Sequence, residues 1–304
     1  MGLCSLALAA PFHWILALVG AWDRLIIIFG LVGLGAFWLG KWRVMTVLQG
    51  VAVLALLFLN VRVPTDYAPL FPKKSDPSRE FVLAWANIHD NRFALRSLAL
   101  LPEVKKAKAI GLGEVPEFSN LQELFPAVDQ PESAIPSKET WGVETLGCRV
   151  EKPNGDLSVW QGRNFGLKAR CDGFTLFGLH LQNPTRGRGG GLRVRNLELA
   201  VLAETVAKEP GPVLVMGDFN TTPSALPFFK LLQTANLKRV SCGGLVAGTW
   251  RPIDWSGTTI DQLPGFKVTI DHILVRDLEV QACHVGPDIG SDHFPLIVTI
   301  TQPN

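Results

Sequence analysis

Charged side chains are scarce in this chain. They make up 18% of its 304 positions, and mean hydropathy is +0.23. That scarcity excludes a disordered, self-repelling polymer and is unusual for a simple soluble domain. Cysteine is also sparse. Five residues are too few for a disulfide scaffold, and no CxxC or Cys/His zinc spacing occurs. There is no internal repeat, no GxGxxG and no P-loop, so nothing marks a dinucleotide or Walker-type nucleotide site. A surplus of one charge sign is missing too: 29 Lys+Arg stand against 27 Asp+Glu, a formal net charge of +2. Residues 1–77 hold six of the basic residues (Arg24, Lys41, Arg43, Arg62, Lys73, Lys74) and three of the acidic ones (Asp23, Asp66, Asp76). The remaining 23 basic and 24 acidic residues leave 78–304 at net −1. That balance lacks the basic excess that non-specific duplex binding uses.

Long hydrophobic runs are what the N-terminal third does have. Leu3–Trp22, Leu25–Gly40 and Val44–Val61 are apolar, broken only by Asp23-Arg24 and Lys41-Trp42-Arg43. A bilayer-spanning helix needs about 20 apolar residues, within about 17–25. The first and third runs meet that length. The second is slightly short and relies on Arg24 and Lys41 snorkelling outward. Trp14, Trp22, Trp38 and Trp42 sit near span ends or in the polar breaks, as interface anchors do. No Lys or Arg precedes Arg24, which counts against a cleaved signal peptide. The expectation is a three-helix transmembrane region over 1–61 in an integral, multi-pass protein of the inner or plasma membrane. Lys41 and Arg43 place their loop on the cytoplasmic side, and hence the C-terminal part outside. Residues 62–78, with four prolines and no hydrophobic period, read as a semi-rigid linker. Residues 79–304 form the expected catalytic domain.

That domain alternates short apolar runs with polar loops. Phe81–Ala86, Phe174–Leu179, Val213–Met216, Val268–Val275 and Phe294–Ile300 read as buried strands. Arg92–Lys108, Arg193–Lys208 and Ala225–Ala235 read as helices. The mixture implies a layered α/β or α+β domain. Polar residues gather where strands end: Asn87, Glu114, His180, Asp218 with Asn220, Asp271, and Asp292 with His293. Carboxylates, amides and imidazoles at strand ends are the groups a metal-assisted phosphoryl site needs: oxygen ligands, donors to phosphoryl oxygens and a base for water.

The segments WANIHDN, GLGEVPE, FGLHLQNP, VMGDFNTTP, TIDHILV and GSDHFPL, in that order over about residues 80–300, resemble the endonuclease/exonuclease/phosphatase superfamily. The three apolar spans ahead of them look like its membrane-anchored branch. The resemblance implies an α+β fold, a four-layer α/β/β/α sandwich of two packed β-sheets. It also implies Mg²⁺, with Mn²⁺ as the alternative. Glu114 matches the family's metal-binding glutamate. Asn87 matches an asparagine near the same metal, and Asp292 stands at the metal edge. Asp218 matches the aspartate that orients or deprotonates the attacking water, and Asn220 the asparagine that donates to a phosphoryl oxygen. His293 matches the histidine that contacts the phosphate, and Asp271 the aspartate that orients it. His180 resembles a histidine of the phosphatase and sphingomyelinase branches, where abasic endonucleases place different chemistry. His272 is expected on the opposite sheet face in a structural role. The family often has Pro-Asp shortly before its metal glutamate; here Val104-Lys105-Lys106-Ala107-Lys108 stands instead.

The loop TRGRGGGLRVRN is locally basic through Arg186, Arg188, Arg193 and Arg195. Arg186 and Arg188 are candidate phosphate anchors, since guanidinium forks suit phosphate oxygens. Trp250 of the Thr249-Trp250 pair is a candidate substrate contact, as the family's TW segment implies. The expected activity is Mg-dependent hydrolysis of a phosphate ester or pyrophosphate by one-step water attack. Tethering favours a lipid-linked substrate such as a polyprenyl pyrophosphate, with the bilayer as partner and no stable nucleic-acid partner. The alternatives are a tethered nuclease and a non-catalytic anchored signalling module. In an oxidising compartment Cys148 could pair with Cys171 and Cys242 with Cys283, leaving Cys4 in the first span.

Overall fold

A computed structural model describes residues 30, 31, 44, 46, 47, 49–51, 53, 54, 65–67, 79–117, 119–128, 143–151, 165–187, 190–243, 248–251 and 267–302. Twelve strands are present among them: β1 (Thr65–Tyr67), β2 (Glu80–Asn87), β3 (Ala109–Gly113), β4 (Glu144–Leu146), β5 (Arg149–Glu151), β6 (Gly166–Cys171), β7 (Phe174–His180), β8 (Val213–Asp218), β9 (Lys238–Ser241), β10 (Asp271–Arg276), β11 (Glu279–Val285) and β12 (Leu296–Thr301). The α-helices that follow β1 among the described residues are α1 (Arg92–Leu100), α2 (Leu121–Leu124), α3 (Gly190–Lys208) and α4 (Leu226–Thr234).

The strands form two mixed sheets. One has seven strands in the order β1-β9-β10-β8-β7-β6-β5, the other five in the order β11-β12-β2-β3-β4. The sheets pack face to face on Leu83, Trp85, Leu176, Leu214, Met216, Ile273, Leu296 and Val298. The outer face of the larger sheet is covered by α3 and α4 through Leu199, Leu202, Val206, Phe228 and Leu231. The outer face of the smaller sheet is covered by α1 through Ala94, Leu95 and Leu98. Central strands are therefore buried on both faces, which is why β2, β7 and β8 read as continuous apolar runs.

Register is what positions the functional groups. β7 runs parallel to β8 with His180 opposite Asp218, and β10 runs antiparallel to β8 with Asp271 opposite Asp218. In the other sheet β2 runs parallel to β3, with Asn87 opposite Gly113. Gly217 is required here: a Cβ at that position would lie 2.2 Å from the Leu179 carbonyl oxygen of the adjacent strand.

Several expectations need adjustment. The helix expected over Arg92–Lys108 ends at Leu100, because Pro102 forces Leu101 into extended geometry (φ −63°, ψ 130°). A short 3-10 helix, Val104–Lys106, then leads into β3. The segment read as linker contains β1, which pairs in parallel with Arg239–Ser241 at the sheet edge, where flanking prolines are tolerated. The first apolar span lies wholly outside the described residues, and of the second only Gly30 and Leu31 are described; the eight described residues of the third, between Val44 and Leu54, are helical. Among the described residues no helix is long and apolar enough to cross a membrane. That finding overturns the expectation of a multi-pass integral protein and leaves the three-helix segment without support.

Both cysteine pairings are present. Cys148–Cys171 and Cys242–Cys283 are disulfides, each with a Cα–Cα distance of 4.7 Å. The second ties the end of β9 in one sheet to β11 in the other. The first joins the segment between β4 and β5, which crosses from the smaller sheet to the larger, to the end of β6. All four cysteines pack on the inter-sheet core. The bridges close segments of 23 and 41 residues. Replacing either pair by alanine is expected to lower unfolding free energy by about 3–4 kcal/mol, the chain-entropy value for loops of that length, as measured by denaturant titration.

Candidate active site

Strand ends from both sheets converge at one end of the sandwich. Asp218, only 2% exposed, lies at the centre. Its Oδ1 accepts the Asn220 backbone N–H at 2.8 Å. Its Oδ2 accepts from Asn87 Nδ2 at 3.2 Å and from Asn220 Nδ2 at 3.3 Å. The Nε2 atoms of His180 and His293 each stand 3.8 Å from Oδ2. Burial raises the Asp218 carboxyl, as does the charge of Asp271. The two histidines and the Asn220 N–H pull the other way, leaving it at about 6.

His293 forms the second element. Its Nδ1 is 2.8 Å from Asp271 Oδ2, while Asp271 Oδ1 accepts from the indole N–H of Trp85 at 2.9 Å. Burial opposes protonation of this imidazole. Asp271, by charge and hydrogen bond, and then Asp218 and Asp292 outweigh it and raise its pKa to about 10. His293 is therefore an imidazolium at neutral pH, with Nδ1–H donating to Asp271 and Nε2–H directed toward Asp218.

Glu114 and Asn87 form the third. Asn87 is fully buried. Its Nδ2 donates to Glu114 Oε1 at 3.0 Å as well as to Asp218, and its Oδ1 accepts the His89 backbone N–H at 3.0 Å. His180 Nε2 lies 3.3 Å from Glu114 Oε1. One oxygen or nitrogen each from Glu114, His180 and Asp218 fall within 4.8 Å of one another, and the same holds for Asp218, Asp271 and His293. The first group combines two hard carboxylate donors with an imidazole at a partly open mouth. That set fits a divalent cation; its oxygens suit Mg²⁺ and its nitrogen is accommodated by Mn²⁺. Such an ion, when bound, would supply charge stabilisation for an attacked phosphoryl group. Asp292, expected at the metal edge, belongs to neither group. Its Oδ2 accepts from the Trp250 indole N–H at 2.9 Å, and its Oδ1 is 3.5 Å from His89 Nδ1, itself 3.6 Å from Glu114 Oε2.

Left-handed backbone concentrates here. His89, Asp90, Glu114 and Asn220 have φ between 47° and 53°. Such geometry in residues other than glycine is costly and persists where neighbours overdetermine it. Asp90 N–H bonds the Glu114 carbonyl at 2.9 Å, so two of these residues hold each other.

The remaining expected residues take distinct places. The two amide hydrogens of Asn220 are committed to Leu181 O (2.8 Å) and Asp218, so in this geometry they support the site from within rather than facing a phosphoryl oxygen. Trp250 is likewise occupied in holding Asp292, and it bridges by backbone to Val268 and His293. Arg186 is exposed on the loop before α3, whereas Arg188 lies outside the described residues. Arg195 is not on the loop surface but buried on α3. His272 bonds the Thr221 carbonyl at 2.9 Å and packs on Phe219 and Phe228, away from the site.

Sequence reasoning missed a supporting layer. Trp85 and Ser291 stood inside quoted motifs. Ser291 Oγ donates to Asn87 O and accepts from His293 N. Thr249 Oγ1 accepts from Ile270 N and Asp271 N. Arg251 grips Asp288 through two nitrogens and donates to Ser291 O. No local signal marked Arg251, because its partners lie about 40 residues ahead.

Comparison with known proteins supplies the family. The model of the Endonuclease/Exonuclease/phosphatase family matches residues 121–293. Two UPF0294 proteins from strains of Vibrio vulnificus are 34% identical over 102 residues, 34% of this chain and 32% of theirs, so the match spans about a third of those relatives. An AP endonuclease from Archaeoglobus fulgidus superposes with TM-score 0.57 at 14% identity, covering 72% of this chain and 98% of its own. An AP endonuclease from Leishmania major gives 0.56 at 15%, covering 81% and 95%. A beta toxin variant from Staphylococcus aureus with bound magnesium ions gives 0.51 at 16%, covering 72% and 99%. With the family model matching more than half of its residues, this chain belongs to the endonuclease/exonuclease/phosphatase family.

Proposed function

We propose that this chain hydrolyses a phosphate ester or pyrophosphate in one step, by in-line attack of water. The observation that carries the reading is the convergence of Glu114, His180, Asp218 and the Asp271–His293 pair at one mouth. Asp218, at the centre of the converging groups, is placed to orient the attacking water and accept its proton. His293, held as an imidazolium by Asp271, presents positive charge to the phosphoryl oxygens and stabilises the charge that builds there. His180 borders the same space and assists those oxygens or the leaving group. Glu114, with Asp218 and His180, would hold the divalent cation, while Asn87 fixes the two carboxylates relative to each other. Catalysis of this kind comes mainly from positioning and electrostatics.

Phosphatase-type chemistry is favoured over duplex cleavage by charge. Residues 78–304 carry net −1, and tight duplex binding draws on a basic surface. The nuclease alternative keeps a specific observation in its favour, the likeness of fold to two AP endonucleases. A preference for lipid-linked substrates rested on tethering and falls with it.

Activity is expected on a panel of phosphate monoesters, diesters and pyrophosphates, with loss on chelation and recovery on adding Mg²⁺ or Mn²⁺. Asp218→Ala and His293→Ala should each lower turnover by at least about 100-fold, the usual scale of acid–base and charge-stabilising groups. Near-wild-type rates in both variants would reject these roles. Faster cleavage of DNA than of any small ester would move the reading to a nuclease.

The charge state of His293 gives a further expectation. Because folding raises its pKa from 6.5 to about 10, its contribution to stability is fully present below about 6.5 and is lost as pH rises through about 10. In chelator-treated protein its ring resonances should stay constant from about pH 7 to 9 in an NMR titration, inside the window between those two values and above the Asp218 transition. Asp271→Asn should bring the transition down toward the ordinary histidine range.

A further inference from the structure

The inner face of α3 carries two charges that the proposed chemistry does not use. Arg195 and Glu198 are each 5% exposed and stand one turn apart on a helix otherwise buried through apolar residues. Ionised side chains are rarely this buried without partners that offset their desolvation. The partners here are main-chain groups of two loops. Arg195 Nη1 donates to the Asn220 carbonyl at 2.8 Å, and its other nitrogens donate to Asn196 Oδ1. Glu198 Oε2 accepts the Gln182 N–H at 2.7 Å. Burial pulls the guanidinium down to about 10 and the Glu198 charge opposes that fall, so Arg195 remains a cation at neutral pH.

The two loops leave β7 and β8 directly after the functional strand ends. Gln182 lies two residues past His180, and Asn220 two past Asp218. They are also laced to each other: Asn220 Nδ2 donates to Leu181 O, and Leu181 N donates to Asp218 O, both at 2.8 Å. Asn220 holds a left-handed backbone with φ 47°, and in that conformation its N–H reaches Asp218 Oδ1. Grasping the carbonyl of a strained residue opposes its relaxation to an ordinary conformation, which would withdraw the N–H from the carboxylate.

We propose that Arg195 and Glu198 are positioning residues. Arg195 locks Asn220, and through it the orientation of Asp218; Glu198 anchors Gln182, and through it the strand end that presents His180. The roles rest on the hydrolytic reading only in what they position, since the contacts themselves exist whatever the substrate.

The test uses the full chain, with the ester from the panel that the wild type hydrolyses fastest. Arg195→Met keeps length and removes every donor. It should lower kcat about 30- to 100-fold with KM within about twofold, because displaced catalytic groups cost turnover rather than ground-state binding. Arg195→Lys, which restores one donor, should recover part of that loss. Glu198→Gln keeps an acceptor for Gln182 and should show a smaller fall. Leu202→Ala, a core truncation on the same helix, controls for general destabilisation.

Hydrogen exchange gives a readout that needs no activity. The Asn220 and Leu181 amides should exchange at least about 10-fold faster in Arg195→Met while amides of the central strands keep wild-type protection, the pattern of local rather than global opening. Turnover of Arg195→Met within about threefold of wild type would overturn the proposal. So would an equal loss of kcat in Leu202→Ala, or unchanged exchange at Asn220 and Leu181. If the wild type hydrolyses no ester with either metal ion, the hydrolytic reading fails, and the exchange comparison alone then decides the positioning roles.

Discussion

A carboxylate withdrawn almost completely from water must be compensated by its surroundings, and Asp218 is the case on which this site turns. Its two oxygens receive one main-chain N–H and two side-chain amides, and two imidazoles stand close by. Each donor comes from a different part of the chain: Asn87 from β2 of the smaller sheet, Asn220 from the loop after β8, His180 from β7 and His293 from the approach to β12. The charge of one buried group thus requires both sheets to stack in a single relative position. The inter-sheet core supplies the bulk of the packing, and the carboxylate's demand for partners supplies the exactness of the alignment.

That demand explains the supporting layer. Donors directed at Asp218 and Glu114 must themselves be held. Asn87 is fixed by its bonds to both carboxylates and to the His89 amide. His293 is fixed by Asp271, and Asp271 by Trp85 on the facing sheet. The strip Thr249-Trp250-Arg251 grips Asp271 from its backbone, Asp292 from its carboxylate and Ser291 from its carbonyl. Side chains that look like substrate contacts in a linear reading, Trp250 and Asn220 among them, are drawn into this scaffold once the chain folds.

The central strands and most of the charged site were legible because they follow local rules. Strands buried on both faces are apolar without interruption, so β2, β7 and β8 declared themselves, and polar residues just past their ends were conspicuous. The short strands β1, β4, β5 and β9, at or next to the sheet edges, were not legible, since three or four residues of mixed polarity carry no period. Arg195 illustrates the other limit. In the sequence it extends a run of exposed-looking arginines, and only the turn of α3 separates it from Arg193, carrying one guanidinium inward and leaving the other in solvent. The end of α1 at Leu100 was readable in principle from Pro102, but the apolar and basic residues beyond it continued the helical pattern.

The hold of Arg195 on a carbonyl oxygen has an evolutionary corollary. Every residue type presents the same peptide oxygen, so this contact places no demand on the side chain at position 220. The demand on that side chain comes from elsewhere, from Leu181 and Asp218, which take its two amide hydrogens. An anchor indifferent to its partner's identity keeps the loop in register and leaves selection to act on the amide alone.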